Sequence, residues 1–107
     1  MEFEKAKIFD LAESVSFSDN ATVSKMVLKK QTGNITLFAF DSGQSLSEHS
    51  APFDAYVLVT EGKGRIIINK VEFDLTAGQF IVMPANIPHA VQALEKFKMM
   101  LVMIRGN

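Results

Sequence analysis

The sequence predicts an all-β domain, a sandwich or a barrel, on three observations. Apolar residues gather in short runs, several of them alternating with polar ones, as half-buried strands require. Clusters rich in Gly, Asn, Asp and Pro recur at intervals of about ten residues and mark turns. No stretch carries helical periodicity of useful length, which removes the α and α/β classes. A chain of 107 residues, 48% hydrophobic and 21% charged, has room for one modest core and is too apolar to be disordered.

The elements follow in order. Residues 1–21 scatter Ile8, Phe9, Leu11, Val15 and Phe17 among acids and serines, and read as an extended N-terminal arm or edge strand with one helical turn over Leu11–Ser14. Residues 22–107 are expected to form the single barrel domain. Residues 23–30 are β-branched-rich and are stopped by Thr32-Gly33-Asn34. In residues 35–40, Ile35, Leu37 and Ala39 share one face while Phe38 and Phe40 share the other, so both faces need cover.

Asp41-Ser42-Gly43 ends that strand, and residues 44–49 form a short extended piece broken by Pro52. Residues 55–60 are the next strand. Gly62-Lys63-Gly64-Arg65 lacks the long loop and following helix of a phosphate cradle, so it reads as a hairpin connection into residues 65–69. Asn69-Lys70 is a tight turn into residues 71–75, whose alternation points Val71, Phe73 and Leu75 inward. Residues 79–83, 89–93 and 97–104 complete the strands. The tail of the last, residues 99–104, is apolar on both faces, which calls for cover by a second subunit or by the N-terminal arm.

Composition narrows the partners. Eleven basic against twelve acidic residues leave a net charge of -1, so there is no electrostatic case for nucleic acid or an anionic membrane. The absence of cysteine excludes disulfides and thiolate metal sites. Neither a leader-like apolar segment nor a run of about 20 apolar residues is present, and a cytoplasmic location is expected. The acids fall at turns and outward strand positions, with no pair placed for two-carboxylate chemistry. Ser50 beside His49 faces the opposite side of a strand and is no nucleophile-base dyad.

Chemistry therefore centres on the two histidines, whose imidazoles titrate near neutrality and are common metal ligands. His49 stands at the mouth of a strand and His89 follows the Pro84-Ala85-Asn86-Ile87-Pro88 segment, so both sit where a loop feeds a strand. Gly43, five residues, His49, one residue, Ala51, three residues, Ala55, six residues and Gly62 form one spacing. Gly78, five residues, Pro84, one residue, Asn86, two residues, His89, three residues and Ala93 form a second.

These spacings resemble the two motifs of the cupins, and residues 49–55, 83–90 and 97–103 look like a group of small bacterial members without assigned activity. The resemblance implies a double-stranded β-helix, a jelly-roll-like barrel. It also implies a metal site of two histidines and a glutamate from the first motif and one histidine from the second. Only His49 and His89 match those ligand positions, because Ala51 and Ala55 replace the other two. Asp54 and Glu48 point the wrong way by strand parity, and the Ser47 hydroxyl is a poor ligand. Two imidazoles offer at best a weak site for a divalent transition metal such as Zn, Ni, Fe or Mn, and the expectation is that none is resident.

What remains is a pocket lined by inward positions, Ser47, His49, Ala51, Ala55, Val57, His89 and Val91, with Val59 and Ala93 behind them. Small alanines in place of bulky ligands leave volume, and apolar walls with two convergent polar groups suit a small molecule. The methionines at 83, 99, 100 and 103 are expected to be ordinary core. Three functions compete: a homodimeric binding module for a small ligand, an enzyme using a weak metal site or a histidine acid-base, and a structural dimeric barrel with no active site.

Overall fold

The computed structural model describes residues 3–105; residues 1–2 and 106–107, the outer ends of the expected arm and barrel, lie outside it. Among the described residues the chain forms one helical turn, α1 (Leu11–Ser14), then β1 (Thr22–Lys30), β2 (Gly33–Phe40), β3 (Ser45–His49) and β4 (Asp54–Ile68). It continues through β5 (Val71–Thr76), β6 (Phe80–Met83), β7 (His89–Gln92) and β8 (Phe97–Ile104). The path through the sheet is β1-β2-β8-β4-β7-β3, with β5 and β6 also paired to β4, and the pairings are antiparallel.

The hairpin expected at residues 62–65 does not form. β4 runs unbroken for 15 residues. Its first part pairs with β8 and β6, and its last six residues pair with β5 and β7, so one strand passes from one wall of the barrel to the other. The glycines permit the crossing rather than a reversal. Gly62 takes φ +75 beside a register shift against β8 between Val59 and Glu61, a bulge that bends the strand without ending it. A Cβ at Gly64 would run into the Phe97 ring, so its bare backbone makes room for that side chain.

Two apolar clusters lie on opposite faces of β2. On the inner face, Phe40, Val57, Val59, Ile66, Phe97 and Met99 are fully buried, and the Phe40 and Phe97 rings stack with centroids 4.7 Å apart. Burying one such side chain contributes about 1.5–3 kcal/mol. On the outer face, Leu37 and Ala39 are covered by Val15 from the arm, with Phe3, Phe17, Val23, Val27 and Met100 around them. The arm thus covers one end of the outer face of β8, while Ile104 at the other end is 64% exposed.

The turns are largely where the composition puts them. Asn69 and Lys70 both have positive φ, the two-residue hairpin that follows strand twist. Gly78 (φ +91) ends the Thr76-Ala77-Gly78 turn, which the Gln79 side-chain oxygen braces by accepting hydrogen bonds from the Thr76 backbone N–H and hydroxyl. In β5 only Leu75 is buried; Val71 and Phe73, expected to point into the core, are 54% and 39% exposed. The strand lies at the end of the sheet path, paired to β4 alone, so inward parity there does not bring cover. Met83 and Met99 are core, Met103 packs against the same cluster, and Met100 belongs to the outer one.

Candidate functional site

Three local devices bring the histidines together. In the β3–β7 pairing the register shifts between Leu46 and His49, and His49 lies opposite His89. This shift breaks simple alternation. Leu46 packs on the core and His49 reaches a buried partner, although the two differ by three positions; Ser47, expected to share the inward parity of His49, is exposed, as is His49 itself. The second device is the segment before β7, where Asn86 takes φ +65 and its backbone N–H donates to the Ala51 carbonyl at 2.7 Å. After glycine, asparagine is the residue best suited to that left-handed position, which explains why Asn86 can stand where the motif has glycine. The third is β7 itself, which sets His89 beside Ile68 of β4 and leaves it 7% exposed.

The imidazoles meet edge to face, with centroids 4.4 Å apart at 70° and the two Nε2 atoms 3.2 Å apart. Behind them, Nδ1 of His49 lies 2.8 Å from the Ser47 carbonyl and Nδ1 of His89 lies 3.2 Å from the Ile87 carbonyl. A carbonyl only accepts, so each rear contact is a hydrogen bond when Nδ1 carries the proton. Both Nε2 lone pairs then face one another. A third proton placed between them turns the pair into a hydrogen-bonded imidazole and imidazolium. Burial, reinforced by the charge of a protonated His49, lowers the pKa of His89 below the ordinary 6.5, with the Ile87 carbonyl opposing. Above its lowered pKa, His89 therefore presents an Nε2 lone pair that seeks a proton or a hydrogen-bond donor.

Around the pair, Ala55, Val57 and Val91 are buried at 4%, 0% and 2% exposure and belong to the core cluster; Ala51 is half-buried. The two acids weighed as further ligands are engaged elsewhere. The Glu48 carboxylate binds Lys70 Nζ at 2.9 Å, and Asp54 Oδ1 accepts from the Ala85 N–H at 2.9 Å. Among the described residues no three His, Cys, Asp or Glu side chains come together as a metal-holding group. Two imidazoles fall short of the three or four protein donors of a stable transition-metal site. The carbonyls of Ser47 and Ile87, which fix both rings, have no signature in the sequence, because any residue supplies a backbone oxygen.

A curled antiparallel sheet with its two histidines on paired strands fits a double-stranded β-helix. A family model described as "Cupin domain" matches residues 36–105, and the chain belongs to the cupin family. It is similar to a conserved protein of unknown function from Streptococcus pyogenes, at 38% identity over 98% of this chain and 92% of that one, with a TM-score of 0.92. A cupin 2 conserved barrel domain protein from Leptotrichia buccalis shares 40% identity over 91% of this chain and 47% of that one, with a TM-score of 0.88. A cupin superfamily protein from Desulfitobacterium hafniense, 24% identical with a TM-score of 0.89 over 96% of this chain and 94% of that one, shares the fold. Comparison with curated proteins finds no match. No helix among the described residues is long and apolar enough to cross a membrane.

Proposed function

We propose that this cupin binds a small organic molecule at the His49–His89 pair, next to Ala51, Ala55, Val57 and Val91. The observation that carries the reading is the pair of Nε2 atoms 3.2 Å apart, with both rings anchored from behind by carbonyls. A ligand hydroxyl, amide N–H or acidic proton would satisfy the lone pairs, and the small side chains at 51 and 55 leave space for its body. A thermal-shift screen of small hydroxylated and acidic compounds tests this. Stabilisation of the wild type that disappears in both His49→Ala and His89→Ala is the expected result. The reading fails when no compound shifts the wild type and the double variant melts as the wild type does.

An enzymatic reading has one observation in its favour: a proton held between two Nε2 atoms is available for general acid-base transfer. Conversion of any compound found in the screen, lost with either histidine, would establish it. A homodimer in the cytoplasm completes the proposal. Its support is the uncovered apolar outer face of β4, β6 and β8, where Phe80, Val82 and Ile104 are 60%, 52% and 64% exposed.

A further inference from the structure

Lys30, at the turn end of the β1–β2 hairpin, and Arg105, just past β8, have no part in the histidine pair. A cleft of about 390 Å³ lies there, lined among others by Lys29, Lys30, Asn34, Phe53, Met103 and Arg105. It draws on three separate parts of the chain: the hairpin end, the segment before β4 and the end of β8. Among the described residues no acidic side chain lines it. Among the described residues, neither Lys30 nor Arg105 has a carboxylate partner. The nearest acid in sequence to Phe53 is Asp54, whose Oδ1 accepts the Ala85 N–H. Among the described residues, Lys30 and Arg105 therefore line the same cleft, beside Lys29, without a carboxylate partner of their own.

Arg105 is held in place from two sides. Its backbone N–H donates to the Thr32 carbonyl at 2.7 Å, tying the end of β8 to the hairpin. Its guanidinium carbon lies 5.2 Å from the centre of the Phe53 ring. That cation–π contact restrains the guanidinium, so less freedom is lost when its N–H groups bind an anion. The floor is apolar. Met103 pairs across the sheet with Asn34 on one side and Ala55 on the other, and packs against the inner core. Cations above an aromatic and a thioether floor match a ligand with one charged planar end and one apolar end.

We infer that this cleft binds a small organic carboxylate, its carboxylate on Arg105 and Lys30 and its apolar body against Phe53 and Met103. The histidines do not line this cleft, so the inference goes beyond the preceding reading and stands or falls without it. The fork geometry favours carboxylate, and the apolar floor separates an organic acid from a simple inorganic anion.

The probes are benzoate, its uncharged relative benzamide, and inorganic phosphate, titrated into wild type, Arg105→Gln, Lys30→Gln and His49→Ala by ligand-observed NMR. Benzoate should bind the wild type at least about tenfold more tightly than either benzamide or phosphate, and Arg105→Gln should weaken benzoate by about tenfold, as loss of a charge-assisted hydrogen bond does. Lys30→Gln should weaken it in the same direction, and His49→Ala should leave it unchanged. Both basic residues are at the surface of the cleft, and equal melting temperatures would establish that the variants fold. Phe53→Leu, which keeps the charges, should also weaken benzoate. Equal binding of benzoate and benzamide would overturn the inference, as would phosphate competing as well as benzoate. Absence of benzoate binding would overturn it too, and so would binding lost in His49→Ala yet kept in Arg105→Gln, which would assign the acid to the histidine pair instead.

Discussion

Lys98 sits on the outer face of β8 with only 8% of its surface exposed, where neighbouring strands place Leu37 and Ala39. Its Nζ donates to the Ala12 carbonyl at 2.9 Å, lies 3.5 Å from a Glu61 carboxylate oxygen and stands 5.1 Å from the centre of the Phe17 ring. One cation thus ties the helical turn and the arm to two strands of the sheet. Lys98→Met keeps the apolar stem but leaves the Ala12 carbonyl without its donor, and is expected to cost about 1–3 kcal/mol. Urea unfolding measures the loss, and limited proteolysis should cut the arm faster in the variant. At His89 the prediction concerns pH. Its folded pKa lies below 6.5, so no penalty applies above that value; as pH falls below it, the unfolded chain takes up a proton that the folded chain refuses. Stability should therefore decline as pH falls below about 6.5 and level off once the folded pKa is passed, and His89→Gln should flatten that slope in urea melts. Asp41 and Asp74 also have lowered pKa values, but their contribution is lost only below the ordinary carboxylate value of 3.8, outside this window. The pairing of His49 with His89 was legible as motif spacing, whereas the register shift between Leu46 and His49 was not, because a bulge inserts no particular residue type.

The long strand β4 explains where element-level reading goes astray. Glycines at 62 and 64 after an apolar run are ordinary signals for a reversal, and only the partners of the strand on both sides distinguish a bend from a turn. At Gly62 the backbone is left-handed (φ +75), and an added Cβ would strike the Lys96 carbonyl and the Phe97 backbone. Gly78 is also left-handed (φ +91), but has open space around it. Gly62→Ala and Gly78→Ala therefore separate two effects. Gly78→Ala should cost only the conformational strain, about 1–2 kcal/mol. Gly62→Ala adds a collision with backbone that cannot move aside, and its total loss of stability should exceed that of Gly78→Ala by about 1–3 kcal/mol. Equal denaturant midpoints for the two variants would contradict this account of the crossing.

At the scale of the molecule, the outer sheet face is divided. The arm covers Leu37, Ala39 and Met100, while Tyr56, Leu58, Phe80 and Val82 form an adjoining patch whose register pairs are Tyr56 with Val82 and Leu58 with Phe80. The arm itself presents Ile8, Phe9 and Leu11 at 95%, 42% and 45% exposure. An apolar sheet face and an apolar arm on the same chain are the two halves of a self-complementary contact, as a two-fold dimer requires. The proposed dimer should appear in sedimentation velocity at micromolar concentration, and Phe80→Glu should convert it to monomer without lowering monomer stability. A wild type that sediments as a monomer would exclude this cover for the patch.

The sequence by itself determined the all-β class, the cupin frame, the placement of most turns and the selection of His49 and His89, because alternation, glycine and proline positions and motif spacing are written along the chain. It also showed Ala51 and Ala55 in place of two expected ligands. Only the tertiary structure decided that β4 crosses the barrel instead of folding back, that Val71 and Phe73 remain exposed, and that Ser47 contributes a carbonyl rather than an inward hydroxyl. It alone brought Lys30, Phe53 and Arg105 to one cleft. The physical reason is that local patterns specify which way a backbone can bend, while cover, register and the meeting of distant side chains depend on which strands lie next to one another.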